Sequence, residues 1–109
     1  MDFKIGTDIV LNKRINEKIP QEEFLKKVFQ ISELKDKTKL ISIFSLKEAT
    51  MKALGEKIDW LLIEVSYKDS KPLITLNDSI KPKSFKSIQG SVSHDGDYTL
   101  AFVVLELKD

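Results

Sequence analysis

Four side chains in this sequence could do chemistry. Asp8 stands directly before Ile9-Val10-Leu11, an apolar run in which a carboxylate is disfavoured. Glu48 and Lys52 lie one helical turn apart in Phe44-Ser45-Leu46-Lys47-Glu48-Ala49-Thr50-Met51-Lys52-Ala53-Leu54-Gly55. His94, the only histidine, sits between Ser93 and Asp95-Gly96. Two carboxylates suit Mg²⁺, which takes one or two of them and fills its remaining positions with phosphate oxygens and water. A lysine beside such a pair can offset charge on a phosphoryl oxygen or a leaving group. Gly6, two residues before Asp8, opens the same strand face to close approach. Each residue also has a plainer reading. Asp8 could cap or turn the chain after a strand, and His94 could be a hydrogen-bonded strand-end residue. Glu48 and Lys52 could be a surface ion pair worth about 0.3–0.5 kcal/mol. The residues taken singly leave both readings open.

Other chemistries lack their residues. There is no Cys, so disulfides, thiolate nucleophiles and cysteine-ligated metals are excluded, and a single His argues against a zinc site. Ser93, His94 and Asp95 are consecutive and cannot form a hydrolase triad by themselves. No nucleophile elbow, P-loop or dinucleotide fingerprint is present. Lys and Arg total 18 against 17 Asp and Glu, a net charge of +1, which gives no global field for nucleic acid or membrane. Arg14 is the sole Arg and the only planar, bidentate cation. The start, Met-Asp-Phe-Lys, has no basic segment leading into an apolar one, and no run is long enough to span a bilayer. A cytoplasmic protein is expected.

The elements that must position these residues follow from periodicity. A chain of 109 residues with 41% hydrophobic and 32% charged residues predicts a single globular domain over 1–109. Residues 3–11 read as a strand, with Phe3, Ile5, Thr7 and Ile9 on one face and Lys4, Gly6, Asp8 and Val10 on the other. Asn12 to Ile19 is polar, with Ile15 and Ile19 at helical spacing. A helix over 21–30 follows Pro20, with Phe24, Leu25, Val28 and Phe29 as its apolar stripe. Ser32-Glu33-Leu34 reads as a short helix capped by Ser32. The central helix is predicted over 37–54. Leu40, Phe44, Lys47, Met51 and Leu54 share one stripe, Ile41, Ser45, Glu48 and Lys52 share the next, and Gly55 is the stop. Residues 59–67 and 73–76 form a hairpin around Lys68–Pro72. Residues 77–86 read as loop or one irregular helical turn. Strands over 87–94 and 98–107 join at Asp95-Gly96-Asp97. This order predicts an α+β fold, a mostly antiparallel sheet packed against a long central helix and shorter helices.

Ile5-Gly6-Thr7-Asp8-Ile9-Val10, the helix around Lys47-Glu48-Ala49 and Lys52-Ala53-Leu54-Gly55, and Ser91-Val92-Ser93-His94-Asp95 occur in this order. So do Lys71-Pro72 and the final strand through Tyr98, Ala101 and Phe102-Val103-Val104-Leu105-Glu106. Together they resemble the holo-acyl-carrier-protein synthase family of 4′-phosphopantetheinyl transferases, over nearly the whole chain. That resemblance implies transfer of phosphopantetheine from coenzyme A to a serine of an apo acyl carrier protein, with release of 3′,5′-ADP. It implies Asp8 and Glu48 as Mg²⁺ ligands and Lys52 as the lysine on phosphate and leaving group, with Asp8, Glu48 or a metal-bound water open as general base. Lys47 and His94 match residues near coenzyme A, and Arg14 falls where the family docks the acidic carrier helix. A homotrimer with sites between subunits is implied as well. The chain departs from the family at Ile43, where an Arg is usual. It also has a shorter Leu34–Phe44 segment, in which Lys37 or Lys39 substitutes for lost basic residues. The glycine-rich loop after Gly55 is reduced to Glu56-Lys57-Ile58-Asp59. The alternative is a relative that binds the carrier without catalysis.

Overall fold

The computed structural model describes residues 2–109. Three antiparallel strands form the main sheet: β1 (Asp2–Leu11), β4 (Phe85–Asp95) and β5 (Tyr98–Leu107), in the order β1-β5-β4. β1 pairs with β5 along its full length, from Asp2 opposite Leu107 to Leu11 opposite Tyr98. β4 and β5 form a hairpin through Gly96, whose φ of 57° lies in the left-handed region that glycine adopts freely. A bulge between Phe85 and Ser87 starts β4 two residues before the expected strand. A second, two-stranded sheet pairs β2 (Ile63–Lys68) with β3 (Lys71–Leu76). The expected strand over 59–67 begins late because the Asp59 side chain accepts from the Leu61 N–H, which holds Trp60–Leu62 in a 3₁₀ turn.

The helix α3 (Leu40–Leu54) lies across the inner face of the main sheet. Its first expected turn is 3₁₀ instead of α, because Asp36 accepts from the Thr38 N–H and closes a tight turn over Lys37–Lys39. It stops at Gly55, whose φ of 82° carries the left-handed C-terminal cap. Two short helices precede it: α1 (Asn12–Asn16), which buries Ile15, and α2 (Glu22–Val28). α2 meets α3 through Phe24 and Phe44, and Phe44 stacks on Trp60 with ring centres 5.0 Å apart. Ser32 is not the expected cap of its turn. Its hydroxyl donates to Glu64, and Glu33 instead closes the turn by accepting from the Gln30 N–H.

The two faces of the main sheet differ. Val10, Ala101, Val103 and Leu105 are buried under α3. The opposite face carries Phe3, Ile5, Ile9, Leu11, Tyr98, Leu100 and Phe102, all exposed, and Ile9 keeps 66% of its surface. The more apolar row of β1 thus faces outward, while the row holding Gly6 and Asp8 faces the helix. No helix among the described residues is long and apolar enough to cross a membrane.

Candidate active site

Asp8 reaches the central helix because Gly6 lets β1 lie on it. A Cβ at Gly6 would overlap the Ala49 carbonyl and come within 2.7 Å of the Ala53 amide nitrogen. Two residues on, along the same strand face, Asp8 meets the Ser45–Glu48–Lys52 stripe of α3. Ser45 Oγ donates to Asp8 Oδ2 at 3.1 Å, and Lys52 Nζ stands 3.7 Å from Oδ1. Glu48 occupies the same stripe between them, half-buried. Asp8 keeps only 13% of its side-chain surface, whereas Lys52 keeps 57%. Burial raises the Asp8 pKa; the Ser45 hydrogen bond and the charges of Lys52 and Arg14 pull against that rise. Arg14 itself is exposed on α1, the helix that continues directly from β1. Glu48 and Lys52 also line a groove of about 290 Å³ with Met51, Gly55, Glu56 and Lys57.

This donor set fits Mg²⁺. A poorly solvated Asp8 carboxylate needs a cation, and the nearest ammonium is at ion-pair and not hydrogen-bond distance. No cluster of three or more ligating side chains occurs among the described residues. Two carboxylates, Asp8 and Glu48, are the number Mg²⁺ takes alongside phosphate and water.

His94 is elsewhere. It lines a cleft of about 660 Å³ between the start of α3, the β2–β3 hairpin and β4, together with Lys39, Ser42, Tyr67 and Lys71. None of these residues lines the groove at Glu48 and Lys52, so within one chain the sequence-predicted residues are divided between two cavities. Ile43 is 2% exposed and belongs to the core. Cationic charge at the cleft comes from Lys39, whose Nζ lies 4.9 Å from the Tyr67 ring centre, and from Lys71.

Lys47 does not meet a coenzyme in this fold, contrary to expectation. Its ammonium is fully buried and bonds Glu33 Oε1 at 2.6 Å, the Val28 carbonyl at 2.7 Å and the Trp60 carbonyl at 3.2 Å. The cause is its stripe, which it shares with Leu40, Phe44 and Met51 and which faces the core. Burial lowers the Lys47 pKa, and the hydrogen bond and charge of Glu33 oppose that shift. Glu33 also accepts from the Val65 N–H, so one buried pair ties α3 to the segment before it and to β2.

A family model described as 4′-phosphopantetheinyl transferase superfamily matches residues 4–103. The holo-acyl-carrier-protein synthase of Finegoldia magna is 35% identical over all of both chains. The chain belongs to the 4′-phosphopantetheinyl transferase superfamily. Within it, its relatives are holo-acyl-carrier-protein synthases. A crystal structure of the Helicobacter pylori enzyme in complex with coenzyme A matches with a TM-score of 0.83 and 36% identity, covering 94% of this chain and 99% of that one. The Neisseria meningitidis synthase matches with a TM-score of 0.80 and 26% identity, covering 94% and 97%. The fold of this transferase is therefore the α+β arrangement expected. Ser45, Ser42 and Glu33 are the residues that sequence reasoning did not single out. Only Lys47 on an apolar stripe hinted at Glu33, since a buried lysine requires a partner.

Proposed function

We propose that this chain transfers the 4′-phosphopantetheine of coenzyme A to a serine hydroxyl of an apo acyl carrier protein. The observation that carries this reading is Asp8 held by Ser45 beside Lys52, with Glu48 on the same helical stripe. The serine oxygen forms a new bond to phosphorus as the bond to the departing 3′,5′-ADP oxygen breaks, and the serine proton passes to a base at the site. Asp8 and Glu48 would hold Mg²⁺, which supplies charge neutralisation on the pyrophosphate when bound. Lys52, long and largely exposed, reaches from the helix toward the departing phosphate and offsets its charge. Ser45 fixes the Asp8 carboxylate, so little reorganisation is needed when substrate arrives. Arg14, on the exposed helix beside Asp8, faces the acidic carrier.

The divided site supports a homotrimer. The exposed apolar face of β1 and β5 is what an interface between copies would cover. His94 lies at its edge, beside Ile9, Tyr98 and Leu100. Packing of one copy against the next brings the His94 cleft, with Lys39 and Lys71, to the Asp8 groove of its neighbour. The coenzyme then spans both, its phosphopantetheine arm at Asp8 and its nucleotide end at His94. The setting that goes with these substrates is the cytoplasm.

Incubating the protein with coenzyme A, Mg²⁺ and apo acyl carrier protein, then weighing the carrier by mass spectrometry, tests the reading. A gain of one phosphopantetheine supports it. No gain across several carriers and divalent metals, with the carrier still bound, would favour the carrier-binding alternative that the loss of Arg at Ile43 suggests.

A further inference from the structure

His94 belongs to a chain of four hydrogen-bonding side chains that crosses the inner face of the sheet. The Thr99 hydroxyl, on a residue 1% exposed, donates to Asn12 Oδ1 at 2.7 Å. Thr99 Oγ1 also lies 2.9 Å from His94 Nδ1. A hydroxyl has one proton. Because that proton goes to Asn12, the contact with His94 needs a proton on Nδ1. Nε2 of the neutral ring is then a bare acceptor. It faces Ser42 Oγ at 3.4 Å, on the wall of the cleft that Lys39 and Lys71 also line. The hydrogen bond at one ring nitrogen sets the state of the other.

The far end of the chain is equally fixed. Asn12 opens α1, and its backbone N–H donates to the Asp97 carbonyl at 2.7 Å. Thr99 stands directly opposite His94 in the β4–β5 pairing and opposite Val10 in the β1–β5 pairing. The ring is therefore held by groups anchored on three elements, although His94 itself is exposed.

We infer that Thr99 and Asn12 are positioning residues for His94, keeping its proton on Nδ1 and presenting Nε2 to the cleft. The effect on catalysis rests on the reading of that cleft as the coenzyme site; the tautomer does not.

The chain has one His, so labelling histidine with ¹⁵N gives one unambiguous ring. Two-bond ¹H–¹⁵N correlation on the protein alone, at a pH where the ring is neutral, should show the Nδ1–H pattern. Thr99→Val and Asn12→Ala should both reduce it, the second without touching His94, because a freed Thr99 hydroxyl can donate to Nδ1. Thr99→Ser should restore it. A wild-type ring protonated on Nε2, or an Asn12→Ala spectrum identical to wild type, overturns the inference. In the transfer assay, Thr99→Val should raise the KM for coenzyme A about fivefold with kcat nearly unchanged, the effect of one neutral hydrogen bond. Thr99→Ser should again rescue. A shifted tautomer with an unchanged KM upholds the positioning and rejects the coenzyme reading of the cleft.

Discussion

Gly6 of β1 lies against the Ala49 carbonyl of α3, with no room for a Cβ between strand and helix. That contact, more than any polar bond, decides where Asp8 points. The neighbours are backbone atoms, which cannot swing aside as a side chain would. Gly6→Ala should therefore lift β1 from α3, costing about 3 kcal/mol in denaturant unfolding. Transfer activity should fall further than stability does, because Asp8 moves away from Ser45 and Lys52. A stable, fully active variant would mean that strand and helix separate freely.

Asp8→Asn should separate activity from stability. Burial raises the Asp8 pKa, so the folded protein prefers the protonated carboxyl more than the unfolded chain does. At neutral pH the ionised group thus weakens the folded state. In buffer without divalent metal, the variant should melt at the same temperature as wild type or higher. The difference should shrink as pH falls through the raised folded pKa, and vanish below the ordinary value of 3.8. Scanning calorimetry across that range checks the sign. A lower melting temperature for the variant at neutral pH would show that Ser45 and Lys52 outweigh desolvation.

Lys47→Met should destabilise by about 3–5 kcal/mol, because it leaves the Glu33 carboxylate buried without its partner. Adding Glu33→Gln should recover much of the loss. Urea titrations of the two single variants and the double variant, at one protein concentration, give the coupling directly. A stable Lys47→Met protein with only a raised KM for coenzyme A would reinstate Lys47 as a ligand-binding residue.

The outward sheet face should be the assembly surface. Phe102→Asp puts a charge among Ile5, Ile9 and Leu100, all exposed in the single chain. Light scattering should show trimer mass for wild type and monomer mass for the variant. Monomeric wild type would remove the argument that the two halves of the site meet between subunits.

Much of this arrangement was legible in the sequence. Period-two and period-3.6 patterns located β1, α3 and the two hairpins, and Gly6-Thr7-Asp8 with Glu48 and Lys52 marked the polar corner of the fold. Helical spacing alone put Ser45, Glu48 and Lys52 on one stripe. The same spacing put Lys47 on the apolar stripe, where the fold buries it against Glu33. What stayed hidden depends on contacts between distant segments. Glu33 looks like any surface acid until the fold folds it under Lys47, 14 residues on. Thr99 and Asn12 are 87 residues apart and carry no local mark of their bond. Turn starts shifted by a few residues wherever Asp36 or Asp59 bonded a nearby amide, because such side chains compete with regular structure locally.

Asp8 and Glu48 should act together with Lys52 as one catalytic corner. The most direct test weighs apo acyl carrier protein by mass spectrometry after incubation with coenzyme A and Mg²⁺, using wild type and Glu48→Gln side by side. Wild type should add one phosphopantetheine per carrier, and Glu48→Gln should slow the addition by at least about 100-fold while melting like wild type. Full activity in Glu48→Gln would place the metal and phosphate chemistry elsewhere in the molecule.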